Sequence, residues 1–453
     1  MQIGIAGAGA GKTTVMADKI VNLREDIEKS KYIFCITFTN NAVSCIKQKL
    51  HDYYGIIPNN IIVSTIHSFL YREFIKPYYY LLFGKQYERI SVATLPTNPG
   101  YKNAKIKRLE ERNILHQTAI PERAKWIVVK KSDDRKVVSD KRKVIRNIFK
   151  EYCGGLCIDE AQDIDSDMQL IIEALNELDI PLILMGDPKQ DLKGHKCLNC
   201  LVEKNMNRVD YIGVCHRCPK KHLILSNLIV NNQEQQYSDK EGGLITIRFE
   251  NDKPCSELIN EENFDLCFIS QKYGKYETHG AETSKSIPIA LSEEIEGEMR
   301  QLHPDKTELT LLRASYYYAE TLLENYAVTN DKEKAMNKTF KYETLSRKAY
   351  GIIINMLPNN SVAMNEEKVV VNSIDSIKGQ EGKNCMFILT TDLAAYLFGE
   401  KTDDKTTKNR LYVALTRSLD KLTIFITEEV EAKYERKNIV SFFEKILNPL
   451  NDK

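Results

Sequence analysis

Residues 1–16 read MQIGIAGAGAGKTTVM, and the fold turns on how that run is understood. Two readings compete: a loop that cradles phosphates, or a chance run of glycine and alanine with only five residues in front of Ala6. "IGIA" (3–6) is apolar enough for a short buried strand, and KTTVMADKIVNL (12–23) places Val15, Ile20 and Leu23 at helical spacing. Strand, small-residue turn and helix in that order bring backbone amides to a helix N-terminus, where the helix dipole also favours an anion. The cradle would comprise Ala8, Gly9, Ala10 and Gly11, with Lys12, Thr13 and Thr14 opening the helix. Lys12 would reach the terminal phosphates of ATP and the Thr13 hydroxyl would hold Mg2+. Ala6 stands where such loops commonly begin with glycine, so the loop needs support from elsewhere in the chain.

GGLCIDEAQDID (154–165) supplies it. A short apolar strand runs into Asp159 and Glu160, and adjacent carboxylates at a strand end suit metal-assisted phosphate hydrolysis. Asp159 would hold the magnesium, while Glu160 would orient and deprotonate the attacking water. An acidic surface loop explains any single Asp-Glu pair, but not one downstream of a phosphate cradle and followed by PLILMGDPKQ (181–190), another apolar strand ending in a polar turn.

The 453 residues are enough for two or three domains with substantial cores. Net charge is +1 with 28% charged residues, which excludes a global polycation, so any nucleic-acid contact must be local. Eleven cysteines without a basic-then-apolar leader fit reduced thiols and a cytoplasmic location. No apolar run approaches the ~18 residues that a bilayer needs, so no membrane partner is expected. Residues 102–150 concentrate sixteen Lys/Arg against six Asp/Glu, including KIKR, VVKK and DKRKVIR. That stretch is either a solvated helical face or a footprint for a phosphate backbone. Residues 231–345 are polar and weakly patterned, with no internal repeat.

At this point the ordered motifs resemble those of superfamily 1 helicases of the UvrD/Rep/PcrA type. The run is AGAGAGKT (6–13), ITFTNNAV (36–43), STIHSF (64–69), IDEAQD (158–163), GDPKQ (186–190), VCHRCP (214–219), SIDSIKGQEG (373–382) and LYVALTRSLDKL (411–422). The resemblance implies an α/β fold of two RecA-like parallel-sheet domains with ATP in the cleft between them. It further implies a mostly helical insertion in the first domain and little or no second insertion. Gln190 would sense the terminal phosphate, Arg217 and Arg417 would stabilise charge from the second domain, and Glu381 would contact the ribose. Phe38 would stack on a base of single-stranded or forked DNA, with Thr39, Asn40, Thr65, His67 and Ser373 holding the strand. Such stacking, at ~1–3 kcal/mol per base, suits a sequence-blind motor.

Departures from the family pattern carry their own expectations. The family's glutamine-bearing element before the cradle has no counterpart in residues 1–5; Thr14 and His216 replace the usual arginine and aromatic at the base. Weak discrimination among ATP, GTP and dATP is therefore expected. On the strand side, Lys193 and His195 occupy the family's tyrosine and tryptophan positions, and the only tryptophan is Trp126. Asp375 and Gln380 replace a histidine and a leucine, which leaves DNA against RNA open. YREFIKPYYY (71–80) would either grip a strand or pack its tyrosines on the core.

The resemblance implies residues 1–70 and 151–205 as domain 1A, 71–150 as a basic helical subdomain 1B, and 206–453 as domain 2A with a reduced 2B-like insertion near 280–360. A short motor of this kind, with Asp167-Met168 and GDPKQ, resembles the helicase-like subunit of Gabija antiphage systems. That likeness implies a hetero-oligomer with an OLD-family ATPase–TOPRIM nuclease. Cys197, Cys200, Cys215 and Cys218 have near zinc-ribbon spacing, against ordinary semi-buried thiols. Three functions remain open: an ATP-driven single-strand translocase, a nucleic-acid-sensing NTPase subunit that regulates a nuclease, and a degenerate scaffold.

Overall fold

The computed structural model describes residues 1–96, 98–129, 134–271, 273–278, 286–357 and 369–447. Lys130 and Lys131 of the basic run, and both ends of the 280–360 segment, lie outside them. The chain divides into two compact units, one of residues 1–84, 121–279 and 369–453, the other of 85–120 and 280–368.

In chain order the strands are β1 (Gln2–Ala6), β2 (Tyr32–Thr37), β3 (Ile61–Thr65), β4 (Arg89–Ser91), β5 (Ile114–His116), β6 (Cys153–Ile158) and β7 (Leu182–Gly186). There follow β8 (Val209–Ile212), β9 (Leu244–Phe249), β10 (Leu266–Ile269), β11 (Tyr276–Thr278), β12 (Val369–Ser373), β13 (Gly382–Leu389) and β14 (Ser418–Ile426). The first unit holds two six-stranded sheets, ordered β3-β2-β6-β7-β1-β8 and β11-β12-β10-β13-β14-β9. Every pairing in both is parallel. These are the two RecA-like sheets of a P-loop NTPase fold.

Parallel sheets are covered on both faces, which is why their central strands read as unbroken apolar runs. All six residues of β6 and all five of β7 are buried. Ile3 and Ile5 of β1 are also buried, and the helix Lys12–Asp26 docks Met16, Ala17, Ile20 and Val21 into this core. Because β1, β6 and β7 are neighbours, the loops after their carboxyl ends lie side by side, the place where ligands bind in open α/β sheets.

The helical pair formed by Lys76–Phe83 and Lys136–Tyr152 belongs to the first unit. Phe74, Tyr79 and Phe149 are buried there, so part of YREFIKPYYY is packing, while Tyr80 is exposed. Lys136–Tyr152 follows the apolar spacing of Ile145 and Phe149.

The second unit pairs β4 with β5 and carries the helices Pro99–Glu111, Ser286–Leu302, Glu308–Thr329, Lys332–Thr339 and Arg347–Met356. Leu291, Ile295, Met299, Leu322 and Ile353 are central to its core. Buried Glu296 receives Arg89 at 2.9 Å and Arg112 at 3.3 Å, and Glu294 lies 3.5 Å from Arg108 and 3.7 Å from Lys105. In the first unit Arg146 pairs with Glu177 at 2.7 Å, and Arg142 with Asp134. A good part of the basic run is thus neutralised internally, which weakens its reading as one phosphate footprint. Among the described residues no helix is long and apolar enough to cross a membrane.

Candidate nucleotide site

The cradle begins where β1 ends. Gly9 and Gly11 sit at φ 70° and 73°, in the left-handed region that side chains with a Cβ rarely adopt. A Cβ on Gly9 would come within 2.4 Å of the Arg217 Cβ. So glycine is needed there twice over, for the turn and for the approach of the loop bearing Arg217. Lys12 folds back with its Nζ 3.4 Å from Ala6 O and 3.3 Å from Gly7 O, hydrogen bonds long enough to exchange readily for a phosphate.

Asp159 closes β6 and is fully buried. Its Oδ2 accepts from Thr13 Oγ1 at 3.4 Å, and its Oδ1 has no hydrogen-bond partner. Burial, then the Glu160 carboxylate, raise its pKa to about 7 against the pull of Lys12 and Thr13. A buried carboxylate with an orphaned oxygen beside a threonine hydroxyl fits a hard divalent cation, and Thr13 with Asp159 would hold Mg2+.

The sign of the pH effect follows. An Asp159 pKa raised above its unfolded value of 3.8 contributes stability below that pH, and this is lost as pH rises through about 7. Mg2+ binds the ionised form, so its thermal stabilisation of the protein is expected to be larger at pH 8 than at pH 6. Asp159→Asn should raise the melting temperature of the metal-free protein at pH 8 and remove the Mg2+ response. A Mg2+ shift equal at both pH values, or one that survives in the variant, would refute the assignment.

Glu160 adopts φ 56°, a left-handed conformation with ~1–3 kcal/mol of strain of the kind that collects at functional sites. Gln162 bridges the two carboxylate strands: its Nε2 donates to Glu160 Oε2, and its Oε1 accepts the Asp187 N–H at 3.0 Å. Asp187 in turn accepts from Gln190 Nε2 at 2.9 Å and pairs with Lys189 at 3.0 Å. Burial raises the Asp187 pKa, but the Lys189 and Lys12 ammoniums outweigh it and hold the carboxyl below its usual range.

The loop after β8 and the start of β14 bring cations to the same place. Arg217 Nε donates to Glu381 Oε2 at 2.6 Å. Arg417 is fully buried and donates to Val413 O at 3.0 Å, Gln380 O at 3.2 Å and Thr416 Oγ1 at 3.3 Å. None of the ion pairs among the described residues includes Arg417. Burial, then the like charge of Arg217, bring its pKa down to about 10, so two guanidiniums converge where one is already desolvated. An anion between them is the arrangement that relieves both.

Later segments of the chain are tied to the cradle by hydrogen bonds at Ala8 and Gly9, two of them from a linked Tyr412–Gln236 pair. Ala8 N–H donates to Tyr412 Oη at 2.9 Å, and Tyr412 Oη donates to Gln236 Oε1 at 2.8 Å. Gln236 Nε2 donates to Ala8 O at 3.0 Å, and His216 N–H donates to Gly9 O at 2.9 Å. On the base side, Thr14 and His216 are both exposed.

The strand-side residues follow β2, β3 and β12. Phe38 is half-buried, while Thr39 and Asn40 are exposed. Three of the hydroxyls already have structural work: Thr39 caps the helix Asn40–Tyr54 through Ala42 N, Thr65 caps Ile66–Leu70 through Ser68 N, and Ser373 Oγ accepts from Ser376 N. His67 is half-buried; burial, then Asp165 and Lys193, shape its lowered pKa. His195 is exposed on the loop after Asp191. Among the described residues no group of three or more Cys, His, Asp or Glu is arranged for a metal. The Cys197 thiol donates to His195 O, whereas the Cys218 N–H donates to the Cys215 sulfur.

Comparison with known proteins places this geometry. Residues 1–195 match the AAA domain family. The AAA domain is a nucleotide-binding module, and the match spans β1, β6 and β7 with their loops. The chain is also 28% identical over 264 residues to the Gabija protein GajB of Bacillus cereus (strain VD045). That alignment covers 56% of this chain and 51% of the relative, so the two are matched over about half their length. The UvrD-type and Gabija resemblances read from the motifs agree with both findings.

Some residues escaped the motif reading. Gln162 and Asp187 lie inside IDEAQD and GDPKQ and could have been singled out there. Tyr412 lies inside LYVALTRSLDKL, but Gln236 has no local signal; only folding brings it to Ala8, 228 positions away.

Proposed function

We propose that this protein is an ATP hydrolase that moves along single-stranded DNA and serves a Gabija-type antiphage defence. The observation that carries the reading is convergence: Lys12, Thr13, Asp159, Glu160 and Gln190 follow β1, β6 and β7 of the first sheet, Arg217 follows β8, and Arg417 precedes β14 of the second sheet. Glu160, positioned by Gln162, would take the proton of the attacking water. Mg2+ held by Thr13 and Asp159 would neutralise phosphate charge. Gln190, linked to Asp187, would report the terminal phosphate, and the two arginines would stabilise the charge that develops on it. Because Arg417 belongs to the second sheet and Arg217 to the loop that leaves the first sheet after β8, hydrolysis would depend on closure, which couples chemistry to movement. Phe38, His67 and His195 would contact the strand.

The alternative is an NTPase subunit that senses nucleic acid and regulates an associated nuclease, with little unwinding of its own. Its support is that Thr39, Thr65 and Ser373 spend their hydroxyls on turns and caps, and that Lys193 and His195 offer weak stacking. The likeness to a Gabija protein makes an OLD-family ATPase–TOPRIM nuclease the partner to seek.

The test is nucleotide hydrolysis by the purified chain with and without single-stranded DNA. Stimulation by DNA, lost in Lys12→Ala, is expected. A basal rate that DNA does not raise would favour the regulatory reading, and a rate unchanged in Lys12→Ala would overturn the assignment of the cradle.

A further inference from the structure

Cys215-His216-Arg217-Cys218-Pro219 leads into the helix Lys220–Asn227, and the charge-stabilising arginine lies between two cysteines. Both sulfurs are buried, with Leu223 as their apolar neighbour. The Cys215 thiol donates to Ala8 O at 3.2 Å, so it is one of the contacts holding the arginine-bearing loop on the cradle. The Cys218 N–H donates to Cys215 Sγ at 3.3 Å, which places the two residues within one turn of each other.

Cys215 differs from the other thiols. The Cys218 thiol, working against burial, and then the backbone amides and the Arg217 charge pull its pKa down to about 6. Burial raises the thiols of Cys35, Cys153, Cys157, Cys197, Cys255, Cys267 and Cys385 instead. A reactive cysteine needs what this loop supplies: backbone N–H donors, a nearby cation and a second thiol to resolve it. The S–H form makes the contact with the Ala8 carbonyl, while Cys218 and Arg217 favour the thiolate, so the two forms compete at this sulfur.

We propose that Cys215 and Cys218 form a reversible disulfide that switches off nucleotide hydrolysis by releasing the arginine-bearing loop from the cradle. The inference rests on the proposed hydrolase reading. The oxidant is hydrogen peroxide. The Cys215 thiolate attacks one peroxide oxygen, the O–O bond breaks, and the departing hydroxide takes up a proton as water, leaving a sulfenic acid. Cys218 sulfur then attacks Cys215 sulfur; the S–S bond forms, the S–O bond breaks, and the hydroxyl leaves with the Cys218 proton as a second water. Two electrons pass from the thiols to the peroxide, and a dithiol such as dithiothreitol reverses the step by exchange. Since both sulfurs are buried against the cradle, oxidation proceeds in the open stage of the cycle. The oxidised loop has no S–H to give back to Ala8 O.

The full chain, treated with hydrogen peroxide, alkylated and digested, would be read by mass and by hydrolysis. A peptide spanning both cysteines that has lost two hydrogens and resists alkylation is expected. Hydrolysis should fall about 10-fold or more, a small part of the ~10³–10⁵ that a positioned arginine supplies, and dithiothreitol should restore it. Saturating non-hydrolysable ATP analogue should slow the oxidation. Cys218→Ser should hydrolyse normally when reduced and form no bridge; should it fail to fold, the wild-type mass still decides. Alkylation of both cysteines after peroxide, or a bridge without loss of rate, overturns the proposal. Reduced wild type that hydrolyses no nucleotide overturns the hydrolase reading and the switch with it, while the mass reports the bridge independently.

Discussion

Glu160→Gln is expected to lower the turnover of nucleotide about 10²–10⁴-fold, the range for losing a general base, while leaving nucleotide binding near wild type. The substitution keeps the size of the side chain and its contact with Gln162, and removes only the carboxylate that accepts a proton. The main-chain strain at φ 56° is the same for both residues, so folding should change little. Steady-state hydrolysis together with titration of a fluorescent ATP analogue checks both halves. A variant that keeps its rate would move the base elsewhere, and one that loses binding would make Glu160 a ligand of the nucleotide.

Arg217→Ala carries the other large effect. Loss of a charge-stabilising guanidinium costs ~10³–10⁵ in rate in related phosphoryl transfers. Arg217 is half-buried and its 2.6 Å pair joins a Glu381 whose side chain is 47% exposed, so the pair contributes ~0–1 kcal/mol to stability. Catalysis should therefore collapse with almost no change in melting temperature. Arg417→Ala offers the contrast. That side chain is fully buried and donates to Val413 O, Gln380 O and Thr416, so its loss should lower both rate and melting temperature. If Arg217→Ala unfolds the protein, or Arg417→Ala leaves its stability intact, the division of labour between the two arginines is wrong.

Much of the candidate site was legible because its pieces are local. The cradle, the Asp159–Glu160 pair and the GDPKQ turn each lie at the end of an apolar strand, and in a parallel sheet a strand end is a site position. The two-sheet fold was legible for the same reason: β6 and β7 are apolar at every position, as strands buried on both faces must be. The basic run was less informative. Charge in a sequence does not say where its counter-ion is, and only folding pairs Arg89 and Arg112 with Glu296.

By itself, then, the sequence determined the pieces of the candidate phosphate site, since a glycine at positive φ, a lysine after it and a carboxylate at a strand end act through bonds and short spacings. What only the tertiary structure decided is which distant groups meet that side. Tyr412 and Gln236 satisfy both polar groups of the Ala8 peptide, Arg417 reaches the cleft wholly desolvated, and Cys215 closes on the same carbonyl. Those meetings depend on two sheets packing at a particular separation and register. Burial then moves the Asp159 carboxyl up and the Arg417 guanidinium down, while the Cys218 thiol pulls Cys215 down against burial; these are properties of the assembled fold and of no single stretch of chain.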